Sequence, residues 1–342
     1  MARKLLEIDR LKIEFATERG IVKAVDGISF SVRRETTIGL VGESGCGKSV
    51  TAHSILQILT PPGRIVDGRI LYHGSDRQNP VDLARLDATG REMRAIRGSA
   101  ISIIFQEPMT CLSPVHTIGN QIVESLRVHE KGISRSAARD RAVELLRMVG
   151  MPAPESRIDA HSFELSGGMR QRAMIAVAIS AGPELLIADE PTTAVDVTIQ
   201  AKVLALLKQL QRETSMSVLF ITHDLGIIAD MSDDVVVMYL GKILEAGTLE
   251  QIFSAPLHPY THALLGCVPR LSHVPKELLS VIPGAVPDPS ARPPGCPFSS
   301  RCGSFMAGVC DRHMPALVEL EAGHRVACFL HSDQVESGEG HA

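Results

Sequence analysis

The run Gly42-Glu-Ser-Gly-Cys-Gly-Lys-Ser49 limits most tightly what this chain can fold into, because it works only between a strand and a helix. Both flanks fit. Ile38 to Val41 is a short apolar run of buried-strand type, and Val50 to Leu59 has helical texture. Gly42, Gly45 and Gly47 let backbone N–H groups converge on phosphate oxygens, with Glu43, Ser44 and Cys46 filling the loop between them. The helix start adds its positive end, Lys48 adds a point charge, and the Ser49 hydroxyl can ligate Mg²⁺. A Gly-rich turn ahead of a lysine would look alike without its flanks; with strand and helix in place, the loop reads as a phosphate site.

The remaining pattern alternates strands with helices, which predicts an α/β domain with a largely parallel sheet. Ile101 to Phe105, Leu185 to Ala188 and Val218 to Ile221 are further buried-strand runs. Between the last two, Val203, Leu206, Leu207 and Leu210 recur at helical spacing opposite Lys202, Lys208 and Gln209, which predicts a core-facing helix. A second helical region runs from Ile118 to Val149, striped by Ala142, Val143, Leu145 and Leu146, and Pro152 and Pro154 end it. Val235 to Leu240 and Lys242 to Ala246 read as two strands joined near Gly241. Six prolines between Pro283 and Pro297 predict an extended, irregular segment.

Leu185-Leu-Ile-Ala-Asp189-Glu190 supplies the second half of a phosphate site. An apolar strand ending in a carboxylate places Asp189 to hold Mg²⁺ through water, and Glu190 to polarise an attacking water. Alone, such a strand end is a weak signal; with the phosphate loop it is a strong one.

Charge and length narrow the class further. The 342 residues are 44% hydrophobic and suffice for about two domains. Lys plus Arg number 35 against 39 Asp plus Glu, a net charge of −4 that argues against a general nucleic-acid coat protein. The apolar run Val235 to Leu240 is far short of the roughly 20 residues of a membrane-spanning helix. The N-terminus, MARKLLEIDRLKIEF, interrupts its apolar pairs with charge and offers no signal-peptide h-region, so a cytoplasmic chain is expected.

Between the two halves lies Leu165-Ser-Gly-Gly-Met-Arg-Gln-Arg172, and here the sequence resembles the ATP-binding subunits of ABC transporters, whose signature motif is LSGG. Ser166, Gly167 and Gly168 open a helix, so a hydroxyl and bare N–H groups can clamp a γ-phosphate. In the family that phosphate belongs to the opposing subunit, which implies head-to-tail dimers. Other positions match in the family's order. Gln106 looks like the glutamine that senses Mg²⁺ and water, His223 like the switch histidine, Thr193-Ala-Val-Asp196 like the dimer-interface loop, and Phe15 lies where an aromatic stacks on adenine. Phe105-Gln-Glu-Pro-Met-Thr110, Pro191 to Gln200 and His258-Pro-Tyr-Thr261 resemble the oligopeptide and dipeptide branch of importers, from about Leu5 to Leu330. That branch usually reads Ser-Leu-Asn-Pro where this chain has Cys111-Leu-Ser-Pro114.

Four of the seven cysteines, Cys296, Cys302, Cys310 and Cys328, crowd the end of the chain, separated by five, seven and seventeen residues. The tight C-x₂₋₄-C pair usual in zinc sites is missing, and spacing alone leaves iron–sulfur, zinc and free thiols open. Dipeptide-type importer ATPases carry a similar tail, and the resemblance implies a [4Fe–4S] cluster on these four residues. Its role is either structural stapling or redox sensing. Cys46 is a separate redox candidate or a small loop-filling residue.

The resemblance therefore implies a P-loop NTPase (RecA-like) α/β core with an N-terminal antiparallel β subdomain. An inserted helical subdomain at about 107–165 and a small irregular C-terminal module complete it, with the nucleotide-binding domain over 1–255 and the extension over 256–342. The expected function is the ATPase subunit of an importer of di- or oligopeptides at the cytoplasmic face of the inner membrane. ATP and Mg²⁺ are its expected cofactors, with Glu190 and His223 catalytic. Expected partners are a second, paralogous ATPase subunit, two transmembrane permeases and an extracytoplasmic solute-binding protein, with no nucleic acid. Nickel chelates, glutathione or opines remain as alternative solutes. A soluble ABC ATPase with a redox-sensing tail is the rival from another class.

Overall fold

In chain order the computed structural model begins with strands β1 (Lys4–Thr17), β2 (Gly20–Arg33) and β3 (Thr37–Val41), helix α1 (Lys48–Ile55), and strands β4 (Gly63–Tyr72) and β5 (Val81–Asp82). Next come α2 (Arg91–Ile96), β6 (Ile101–Ile104), α3 (Ile118–His129), α4 (Arg135–Met148), α5 (Pro154–Arg157) and α6 (Gly167–Ile179). They are followed by β7 (Leu185–Asp189), α7 (Val197–Thr214), β8 (Ser217–Thr222), α8 (Leu225–Met231), β9 (Asp234–Tyr239) and β10 (Lys242–Thr248). The chain closes with α9 (Leu249–Ser254), α10 (Pro259–Gly266), β11 (Val318–Glu321) and β12 (His324–Val326). The residues described are 3–18, 20–75, 78–106, 111–193, 196–268 and 281–331. They form two compact units. One takes the start of the chain, Val32–Thr37 and Tyr72–Ile221; the other takes Glu7–Ser31, Ile38–Leu71 and the chain from Thr222 onward.

In the first unit β6 and β7 pair in parallel, Ile101 opposite Leu185, and β7 pairs in parallel with β8, Leu185 opposite Ser217. Every residue of β7 is buried, as expected of a strand covered on both faces. The helical region predicted as one stretch is two helices, α3 and α4, parted by a turn in which Gly132 takes φ +86°. Thr117 caps α3 through Asn120 N–H, and Ser134 caps α4 through Ala137 N–H. Both helices pack against α6. The helix predicted around Val203 to Leu210 is α7, with those four apolar residues buried and Asp196 capping its start.

In the second unit β2, β1 and β4 are successive neighbours of one sheet. Only Glu18 and Arg19 separate β1 from β2, a connection that suits an antiparallel hairpin. The buried alternation of β1 slips by one residue between Ile8 and Leu11, where Arg10 takes φ +48°. A second sheet of this unit carries β3, β9, β10, β12 and β11 in that order. β3 and β9 run parallel, while β9 and β10 form the expected antiparallel hairpin, turning through Leu240 and Gly241 at φ +43° and +73°.

The C-terminal module is more regular than its proline content predicts. Residues 281–288 and 292–298 are irregular as expected, but β11 and β12 form a hairpin that joins β10, Glu245 opposite Val326. Glu245 is wholly buried. Its carboxylate accepts from Leu257 N–H at 2.8 Å, His258 N–H at 2.9 Å and His324 Nε2 at 2.8 Å. Three donors satisfy a carboxylate that burial would otherwise make costly, and they fasten β10, the approach to α10 and β12 together.

Candidate nucleotide site

The phosphate loop leaves β3 and enters α1 as the sequence requires. Two of its glycines are required by backbone crowding, and Gly45 by its φ of +79°. A Cβ on Gly42 would lie 2.1 Å from the Met238 carbonyl oxygen; one on Gly47, at φ +101°, would lie 2.4 Å from that of Ala24. Lys48 is only 5% exposed, and its Nζ donates to the carbonyls of Gly42 at 2.7 Å and Glu43 at 3.1 Å. The ammonium is thus held inside the curve of its own loop. Cys46 is buried, and burial raises its thiol above the ordinary value, which favours a loop-filling role.

Glu43 carries a contact network that sequence reasoning missed. Its N–H donates to the Tyr260 hydroxyl at 3.0 Å, and its carboxylate accepts from Arg301 Nη1 at 2.8 and 3.1 Å. Tyr260 lies in the His258-Pro-Tyr-Thr261 segment, which in sequence is only a mark of the importer branch. The available signal for Arg301 was its place beside Cys302, inside a segment with no other assigned purpose.

Phe15, at the end of β1, is partly exposed, and its ring occupies the space over Gly63, where a Cβ would come within 2.5 Å of Cε1. A flat, accessible aromatic face is what adenine stacking asks for. His223 is exposed directly after β8.

The carboxylate pair singled out from sequence belongs to the first unit. Asp189 ends β7 and is buried; Glu190, one residue on, takes φ +45°, a left-handed conformation that costs a non-glycine residue about 1–2 kcal/mol. Glu190 N–H donates to the Ile221 carbonyl at 2.9 Å, which fixes that backbone. Its Oε2 accepts from Gln106 Nε2 at 3.0 Å and from Thr193 Oγ1 at 2.9 Å. The structure therefore brings together Gln106, Glu190 and Thr193, three residues singled out from sequence. Glu107 to Thr110 and Ala194 to Val195, which complete the motifs begun by Gln106 and Thr193, lie outside the described residues.

Ser166 caps α6, its Oγ accepting from Met169 N–H at a long 3.4 Å. Ser166 and Gly167 are exposed, and a Cβ on Gly167 would meet nothing within 4 Å. Gln171, one turn into α6 and buried, donates to the Pro191 carbonyl and so fastens this helix to the segment after Glu190.

Cys296, Cys302, Cys310 and Cys328 are free thiols within electrostatic reach of one another. Cys296 N–H donates to the Cys310 carbonyl at 2.8 Å. Burial, with the neighbouring sulfurs adding to it, pushes the Cys296 thiol up to about 12 and raises Cys302 and Cys328. Among the described residues, no three His, Cys, Asp or Glu side chains are arranged around a single metal-ion position.

Residues 25–193 match the family described as ABC transporter, and residues 244–310 match the oligopeptide/dipeptide transporter C-terminal region. The chain is 48% identical to the dipeptide transport ATP-binding protein DppD of Bacillus subtilis (strain 168) over 97% of its length and 96% of that protein. It is 43% identical to the protein of the same name from Escherichia coli (strain K12), over 96% of its length and 97% of that protein. Among solved structures, the dimeric ATP-binding cassette MJ0796 bound to ADP and Pi is similar in fold, with a TM-score of 0.62 at 24% identity, covering 71% of this chain and 98% of that one. The chain belongs to the ATP-binding subunits of ABC transporters, in the oligopeptide/dipeptide branch. It carries the ATP-hydrolysing cassette of that family.

Proposed function

We propose that this chain hydrolyses MgATP to power uptake of di- or oligopeptides by an ABC importer. The carrying observation is the carboxylate of Glu190, held in a strained backbone by two side-chain donors, in a chain 48% identical to a dipeptide transport ATP-binding protein. In this reading the loop amides and Lys48 bind phosphates, Phe15 stacks on the base, and Glu190 orients and polarises the attacking water with His223 beside the γ-phosphate. Ser49, Gln106 and Asp189 would hold Mg²⁺, which when bound neutralises charge on the phosphates. The exposed Ser166–Gly168 helix start presents amides to the nucleotide of an opposing subunit, which the family resemblance makes a paralogous ATPase. No helix of the described residues is long and apolar enough to cross a membrane. In this reading two permease subunits supply the span, with this chain docked at the inner membrane's cytoplasmic face and a solute-binding protein outside. Glu190→Gln should retain MgATP binding and lower turnover about 10²-fold or more. Undiminished hydrolysis would remove Glu190 from this role.

A second reading concerns the cysteine module. The resemblance of this tail to that of dipeptide-type importer ATPases is what supports a [4Fe–4S] cluster on the four cysteines, in which each thiolate would bind its own corner iron. Purified without oxygen, the chain should show broad visible absorption with iron and acid-labile sulfide, and Cys302→Ser should abolish it. A colourless, iron-free anaerobic chain would refute the cluster.

A further inference from the structure

The phosphate loop holds one carboxylate, Glu43, in a place that must accept a polyanion. Like charge there weakens nucleotide binding unless it is neutralised. Neutralisation comes from Arg301, far along the chain. Its side chain is 5% exposed and its Nη1 donates to both Glu43 oxygens. The same nitrogen donates to the Tyr239 hydroxyl at 3.1 Å, while Nε donates to the Pro283 carbonyl at 3.0 Å. The guanidinium lies 5.8 Å from the Tyr239 ring centre and 6.0 Å from that of Phe298, within cation–π reach of both.

The backbone of Glu43 is turned the same way. Its N–H points at Tyr260, whose ring is buried 4.8 Å from Tyr239 and 5.1 Å from Phe298, and its carbonyl accepts from Lys48. A second tie reaches the loop from the same segment. Arg292 donates to Asp26 at 2.9 Å and to the Leu240 carbonyl. Asp26 N–H then donates to the Gly241 carbonyl, and Gly241 N–H to the Cys46 carbonyl, each at 2.9 Å. The segment from Arg292 to Arg301, which contains Cys296, is thus attached to the loop at both ends.

We infer that Arg301 is a positioning residue of the phosphate site, supplied by the cysteine-bearing C-terminal module, which cancels the Glu43 charge and holds the loop for MgATP. The inference rests on reading Gly42–Ser49 as the MgATP loop. It makes the C-terminal module part of the nucleotide machinery rather than an appendage.

The test is equilibrium binding of MgATP to the full-length chain by titration calorimetry, with folding checked by thermal melts. Arg301→Met keeps the stem over the rings and drops the charge; it should bind MgATP about five- to tenfold more weakly, and the defect should shrink as salt is raised. Glu43→Gln combined with Arg301→Met removes both charges and should return binding to within about twofold of the unaltered chain. A single variant that binds like the unaltered chain, or a double variant that binds as weakly as the single one, overturns the inference. If Arg301→Met alone does not fold, the double variant decides: near-normal affinity supports charge compensation and a large loss refutes it. An unaltered chain that binds no MgATP would overturn the reading of the loop itself, a different failure.

Discussion

The phosphate loop and the signature segment are both glycine-bearing helix starts, yet they are built on opposite principles. Around Gly42–Ser49 the backbone is enclosed at Gly42 and Gly47, where Met238 and Ala24 press on it; Tyr260 and Arg301 hold Glu43, and Lys48 is buried within the loop, while Ser44 and Gly45 stay exposed. Around Ser166–Gly168 little presses. Gly167 has open space where its side chain would be, and the Ser166 cap is long. The first segment needs glycine at 42 and 47 because its own chain crowds them, and at 45 because the backbone turns through φ +79°. Nothing among the described residues demands a glycine at 167, which fits the proposal that this segment presents its amides to a nucleotide of an opposing subunit.

That contrast can be broken by substitution. The largest effect is expected of Gly47→Ala, which adds a Cβ at φ +101° and 2.4 Å from a carbonyl oxygen. It should lower stability by more than about 2 kcal/mol and abolish measurable nucleotide binding, read by thermal melting and calorimetry. Gly167→Ala should do the reverse: stability unchanged or raised by about 0.5 kcal/mol, with ATP turnover of the assembled ATPase falling about tenfold. If turnover is also unchanged, the signature segment has no close-contact role. The smallest effect is expected of Ser166→Ala, where losing a 3.4 Å cap should lower stability by no more than about 0.5 kcal/mol in a melt. A loss of 1 kcal/mol or more would mean that the cap is stronger than its length suggests, and that the segment is more self-sufficient than Gly167 implies.

Much of this was legible before any coordinates. The strand at Ile38 to Val41, the loop, the Asp189-Glu190 pair and the hairpin turning near Gly241 rest on local patterns, and each is found where its pattern put it. Local signals failed where the deciding contact is distant in sequence. The prolines between Pro283 and Pro297 correctly announced irregular chain, but β11 and β12 form because β10 offers an edge to pair with. Cys46 invited a redox reading from its place in the loop, but only the fold shows that it is buried, which raises its thiol above the ordinary value. Cysteine spacing could not say whether the four thiols meet.

By itself, then, the sequence determined the parts of the proposed nucleotide machinery: the loop proposed to meet phosphate, the carboxylate proposed to activate water, and the strand and helix that flank the loop. These properties arise from residue types at short, fixed separations. Only the tertiary structure decided that Glu43 is answered by Arg301, 258 positions away, and that Glu245 is answered by His324. No local rule links such pairs. Each partner is selected because a buried charge must find an opposite or a donor, and what lies within reach is settled by packing alone.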